Sequence, residues 1–206
     1  MGIEIRGFID VWPSLDPELE SDSELIESCS IHCFGEIFIH RDTKLFSLLA
    51  GVGGEGEALF APKGIPTMCS WRVQAAYTVI AIDDAKWTLG HEESSYPRYI
   101  KRSQAEELIN EGQSRYFNKK LGEILDYDAH TFSWFMVEEL QEIHHKYQTL
   151  EDGWPQTIEA LNAIIALMKA LDNGQAGRTR FIFWFEGGKP AEQDMVDRIY
   201  AALSNH

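Results

Sequence analysis

Between Ile3 and Val11, apolar and polar side chains alternate: Ile3, Ile5, Ile9 and Val11 interleave with Glu4, Arg6, Phe8 and Asp10. A period of two is that of a half-buried strand, so Glu4, Arg6 and Asp10 share one face. A second alternating run, residues 31–40, sets Ile31, Cys33, Ile37 and Ile39 against His32, Phe34, Glu36, Phe38 and His40. If the two runs pair, Glu4, Arg6, His32 and Glu36 share one surface, although one sequence does not fix the register. Arg41 and Asp42 lead into Leu45–Ala50, a short apolar helix ended by Gly51.

Residues 75–82 have strand character, and a charged helix is predicted from Ser103 to Glu111. Residues 112–122 form a linker carrying Arg115, Lys119 and Lys120. The stretch Asp128-Ala129-His130-Thr131-Phe132-Ser133-Trp134 gathers a carboxylate, an imidazole and two hydroxyls ahead of Met136, Val137, Leu140, Ile143 and Tyr147, a helix stripe. It is expected to be a loop entering that helix, with Thr131 or Ser133 as cap and free N–H groups suited to an anion. A further helix runs from Pro155 to Leu171 and stops at Asn173-Gly174. Arg178 to Glu186 hardly breaks its apolar run, as expected of a strand covered on both faces. After the Gly187–Pro190 turn, Met195, Ile199, Ala202 and Leu203 mark a last amphipathic helix. Strands and helices follow without regular alternation, which predicts an α+β fold: one domain over 1–206, with a small, mainly antiparallel sheet packed by helices.

Length and apolar content are ample for a core. Residues 13–28 are rich in Ser, Asp, Glu and Pro and form an acidic loop; residues 51–66 form a glycine-rich one. Gly51-Val52-Gly53-Gly54-Glu55-Gly56 matches the dinucleotide fingerprint by letter only, because a helix and not a strand precedes it. The net charge of −15 argues against nucleic acid and anionic membrane as partners. Cys29, Cys33 and Cys69 form no Cys-x-x-Cys pair, so neither a disulfide framework nor a zinc ribbon is expected, and a reducing cytoplasm fits. No apolar run spans a bilayer, and the start has no leader pattern.

Several blocks in order carry a resemblance: Met1-Gly2-Ile3-Glu4-Ile5-Arg6, Arg41-Asp42-Thr43-Lys44-Leu45-Phe46-Ser47-Leu48-Leu49-Ala50-Gly51-Val52, Lys63-Gly64-Ile65-Pro66, Asp128-Ala129-His130-Thr131-Phe132-Ser133 before Glu139-Leu140, and Arg180-Phe181-Ile182-Phe183-Trp184-Phe185-Glu186. Together they resemble small bacteriophage proteins that begin Met-Gly-Cys-Asp-Ile-His. Those proteins carry Arg-Asn-Tyr-x-Leu-Phe and Asp-x-His-Ser-x-Ser motifs and close on a strand like Arg-x-Val-Phe-Trp-Phe-Asp. Ile3 and Arg6 stand where that family has Cys and His, Glu4 and Glu186 where it has Asp, and Met136 where a capping Thr stands. The resemblance implies a phage protein in the cytoplasm of an infected bacterial host.

Three functions follow from these residues. The first is binding of a small anionic, nucleotide-like ligand, with Arg6 and Arg41 as anion clamps, Glu4, Glu186 and Asp128 beside them, and His130 and Ser133 at the helix entry. Trp134 and Trp184 are candidates to stack a base, and sequestering a host immune signal suits a phage protein with such a site. The second is a metal-independent hydrolase or phosphodiesterase, with His130 as acid or base oriented by Asp128. The third is an acidic protein-protein inhibitor. No cofactor is expected, nor any metal, since the family's Cys and His are absent; a homo-oligomer is compatible with the chain. Glu4, Arg6, Arg41, Asp128, His130 and Glu186 are expected to converge on one pocket, because a core does not tolerate such groups unpaired.

Overall fold

The computed structural model describes residues 3–12, 31–40, 42–53, 57–66, 69–92, 98–111, 116–118, 122–126, 129–174 and 177–187. The expected last helix, Arg41, Asp128 and the whole of the acidic loop at 13–28 lie outside them. The fold is α+β, as the order of elements implied, with two four-stranded sheets and six helices among the described residues. The large sheet has strand order β2-β1-β8-β7, with β1 at Glu4–Val11, β2 at His32–His40, β7 at Ala129–Phe135 and β8 at Thr179–Glu186. Every pairing in it is antiparallel. The small sheet, order β4-β3-β6-β5, joins β3 (Thr78–Ile82), β4 (Arg98–Lys101), β5 (Tyr116–Asn118) and β6 (Glu123–Leu125); only β3 and β4 run parallel.

Alternation decides what each face of the large sheet touches. On the inner face, Ile5, Ile9, Ile39, Phe135, Phe181, Phe183 and Phe185 form one core with helices α1 (Thr43–Ala50), α5 (Val137–Gln148) and α6 (Pro155–Asp172). Gly7 leaves room there for the Phe181 ring, which a Cβ at that position would approach to 2.5 Å. The outer face carries Phe8, Ile182 and Trp184, and Val73 and Tyr77 of α2 (Trp71–Tyr77) pack over its middle. Strand β8 is thus covered on both sides, as its unbroken apolar run predicted. Helices α3 (Leu89–Glu92) and α4 (Arg102–Asn110) accompany the small sheet.

Three local expectations need correction. Residues 75–77 belong to α2 and not to a strand, because Ser70 caps the helix by accepting the Val73 N–H at 3.3 Å and Val73, Ala76 and Tyr77 bury one stripe. The alternation of β2 breaks at Gly35 (φ 68°), where the register against β1 shifts. Cys33 consequently joins the outer cluster, whereas Ile37 and Ile39 stay inward.

The third correction concerns the focal stretch, which is strand β7 and not a helix entry. Phe132 and Trp134 pack outward and Phe135 inward, and the register shifts between His130 and Ser133, where Thr131 takes φ 51°. Ser133 caps nothing; its Oγ accepts the Lys63 N–H at 3.2 Å. The helix opens at Val137, where Glu139 reaches back to accept the Met136 N–H at 3.1 Å.

Candidate functional site

Ionisable side chains collect on the outer face, at the Arg6 end of the large sheet. Arg6 on β1 stands opposite Phe38 of β2 and Trp184 of β8. Its side chain is 5% exposed. The guanidinium donates from Nε to Glu36 Oε1 and from Nη1 to Glu186 Oε1 at 3.1 Å. Aromatic rings surround it: Phe8 at 5.9 Å, and Phe38 and Trp184 at 5.8 Å each. The Trp184 indole N–H also donates to Glu186 Oε1, at 3.1 Å, so one carboxylate oxygen is fixed by two donors. Towards solvent the cluster presents Glu36 and Glu186, 20% and 27% exposed, and Phe38, 50% exposed. Glu4 lies opposite Glu186 at the same end. One guanidinium thus bridges carboxylates from β2 and β8.

Of the sequence-predicted residues, the structure brings Arg6 and Glu186 together and sets Glu4 beside them. His130 and Ser133 are elsewhere: they stand in register with Phe185 and Phe183 on the inner face, so the sheet separates them from Arg6. The expected convergence therefore holds for the β1 and β8 residues and not for those of β7. His130 is buried, stacked on Phe185 at 5.9 Å. Its Nε2 donates to the Gly187 carbonyl at 2.8 Å, and its Nδ1 accepts from the Thr131 hydroxyl at 2.9 Å. Burial pulls its pKa below the usual 6.5, with the Gly187 bond opposing. Neutral, held at both nitrogens and enclosed, this imidazole locks the bulge in place.

Two further polar groupings border the outer face. Asp10, fully buried, accepts the Ser70 N–H at 2.8 Å and the Ser70 hydroxyl at 2.7 Å, fastening α2 to the sheet. Burial raises its pKa, with the Ser70 bonds and Arg180 working against that rise. Arg180 lies 4.3 Å from the Trp12 ring and 5.6 Å from that of Trp134, whose ring Lys63 approaches at 4.0 Å. Lys63 is in turn held by both oxygens of Glu139, at 2.6 and 2.7 Å. Trp184, named as a stacking candidate, is fully buried and packs as core; Trp134 carries Lys63 on one ring. Among the described residues no group of three or more His, Cys, Asp or Glu could hold a metal ion, and no helix is long and apolar enough to cross a membrane.

Sequence reasoning missed Glu36 and Phe38 as site residues. Alternation did put Glu36 on the Arg6 side, but only the β1–β2 register brings its carboxylate onto the guanidinium. No protein-family model, curated protein or solved structure matches this chain.

Proposed function

We propose that this chain binds a nucleotide-like small molecule and does not turn it over, and that the ligand sits on the outer face at the Arg6 end of the large sheet. One observation carries this reading: a buried guanidinium, fixed by carboxylates from two strands and walled by aromatic rings, organises a polar surface in advance of any ligand. Pre-organisation of that kind lowers the ordering cost of binding. The hydrolase reading needs a titrating His130 facing the ligand. Both of its nitrogens are in hydrogen bonds on the opposite side of the sheet, which favours binding over catalysis. On the resemblance to phage proteins, the use of such a site is to hold a host signalling nucleotide out of solution.

The test is a thermal-shift and calorimetric screen of mononucleotides and cyclic dinucleotides against the intact chain, with chromatography of the ligand afterwards. A nucleotide that raises the melting temperature and is recovered unchanged is the expected result. Arg6→Ala, which releases Glu36 and Glu186, should weaken its binding by about 2 kcal/mol or more. A screen in which no nucleotide stabilises the protein defeats the proposal, and conversion of the ligand to product restores the hydrolase reading.

A further inference from the structure

We infer that a cleft between α1 and the turn joining α5 to α6 takes a short alkyl diamine, a compound with an ammonium at each end of an apolar chain. The cleft, about 190 Å³ in volume, is walled by Lys44 and Leu48 of α1, by Glu57, and by Leu150, Glu151 and Asp152 of the turn. It lies on the helical side of the large sheet, away from Arg6, because α1 and α5 pack on the inner face. Drug-sized ligands fill roughly 300–1,000 Å³, so the occupant here is smaller than a nucleotide. The walls are fixed in advance of a ligand. The turn is tied down by the Leu150 N–H, which donates to the Tyr147 carbonyl at 3.0 Å, and by the Trp154 N–H, which donates to the Tyr147 hydroxyl at 2.8 Å. The segment that follows Glu57 is held by the Leu59 N–H on the Leu48 carbonyl at 2.9 Å. Lys44 joins α1 to the turn, its Nζ donating to the Asp152 carbonyl at 3.4 Å and to the Asp152 carboxylate at 3.3 Å.

Charge and surface together select the occupant. Lys44 matches Asp152, while Glu57 and Glu151 are exposed and make no ion pair among the described residues. Two carboxylates in excess, on separate segments, call for two positive charges held apart. Leu48 and Leu150, half-buried against the core, add apolar surface to the same cleft. A bare metal ion makes no use of that surface, and among the described residues no group of three or more His, Cys, Asp or Glu could hold one. A diamine uses both features: its methylenes cover the leucines, and each ammonium meets a glutamate.

Calorimetry on the full chain with 1,4-diaminobutane and with butylamine, at fixed ionic strength, tests this. The diamine should bind one to one and about fivefold or more tightly than butylamine, because its second ammonium binds intramolecularly. Glu57→Gln combined with Glu151→Gln, both at exposed side chains, should weaken the diamine at least to the level at which butylamine binds wild type, with little change in melting temperature. Glu106→Gln with Glu107→Gln removes the same charge from exposed positions on α4 and should leave diamine binding within about twofold, since salt screens remote charges. If the α4 variant weakens the diamine as much as the cleft variant does, the attraction belongs to the net charge of −15 and the inference falls. Equal binding of butylamine and the diamine, or heat that does not saturate, also overturns it. None of these outcomes bears on nucleotide binding at Arg6, which lies across the sheet.

Discussion

Asp42 and Arg6 are both buried, both charged by type, and both satisfied by hydrogen bonds, yet their networks end in different places. Asp42, 3% exposed, sits ahead of α1 on the inner side of the sheet. One of its oxygens caps that helix by accepting the Leu45 N–H at 2.9 Å. The other accepts the Tyr147 hydroxyl at 2.6 Å and the Thr157 hydroxyl, and Tyr147 passes the chain on by accepting the Trp154 N–H at 2.8 Å. Every partner lies under α1, α5 or α6, so the network closes on itself and fixes three helices to one point. The partners of Arg6 are carboxylates that themselves reach water. Both arrangements pair a buried charge, as they must; only the one at Arg6 runs through side chains that touch water.

The sharpest test of that contrast is stability. Asp42→Ala removes a helix cap and strands the hydroxyls of Tyr147 and Thr157 without their acceptor, which should cost about 3 kcal/mol or more in a denaturant titration. Arg6→Met keeps the bulk of the side chain and leaves two carboxylates that can rehydrate. Its cost should be smaller, about 2 kcal/mol or less, because the full penalty of an uncompensated charge applies only deep in the interior. A larger loss in Arg6→Met than in Asp42→Ala would make Arg6 the structural keystone and break the comparison.

How legible these networks were in the sequence depends on how local their causes are. Alternation placed β1 and the second half of β2, the apolar run placed β8, and Gly51 and Asn173 ended their helices in left-handed backbone as expected. Residues 75–77 were misread because Ser70 is a cap held in place by Asp10, sixty positions away. The stretch 129–135 was misread because Thr131 in a left-handed bulge disguises a strand period, and because pairing with β8 overrides the helix signal that follows. Arg6 was visible as a candidate; Glu36 needed the β1–β2 register, and the Asp42 network needed the packing of three helices. Among the described residues of the expected pocket, those on the adjacent strands β1 and β8 came together and His130 did not.

A smaller effect separates the inner face from the outer by pH. Burial holds the His130 pKa below 6.5, so the native state favours the neutral ring. Its contribution is fully present above pH 6.5 and is lost as pH falls below that value toward the lowered native one. His144 is shifted in the same direction, chiefly by burial and then by His145. Wild type should therefore lose melting temperature between pH 7.5 and 5.5, and His130→Gln should lose less over the same interval, although its starting value is lower. A double variant with His144→Gln should flatten the slope further. Equal slopes in wild type and His130→Gln would mean that the imidazole is not enclosed as the Gly187 and Thr131 bonds require.

The smallest expected effect concerns two thiols that differ in enclosure. Cys69 is buried and Cys33 partly so, and burial with the nearby Asp10 charge pushes their pKa values up to about 12 and about 11. At pH 8 a thiol with a pKa near 11 is a thiolate in roughly one molecule in a thousand, and the thiolate is the reactive form. In a Cys29→Ser background, the native protein should consume a disulfide reagent over hours, Cys33 ahead of Cys69, and consume two equivalents at once when unfolded. Asp10→Asn removes the negative charge that both sulfurs feel, and should speed Cys33 while Cys69, still enclosed by α2, stays slow. Prompt reaction of Cys69 in the folded wild type would show that the middle of the outer face opens, and the division between a sealed network and an open one would then not hold on that side of the sheet.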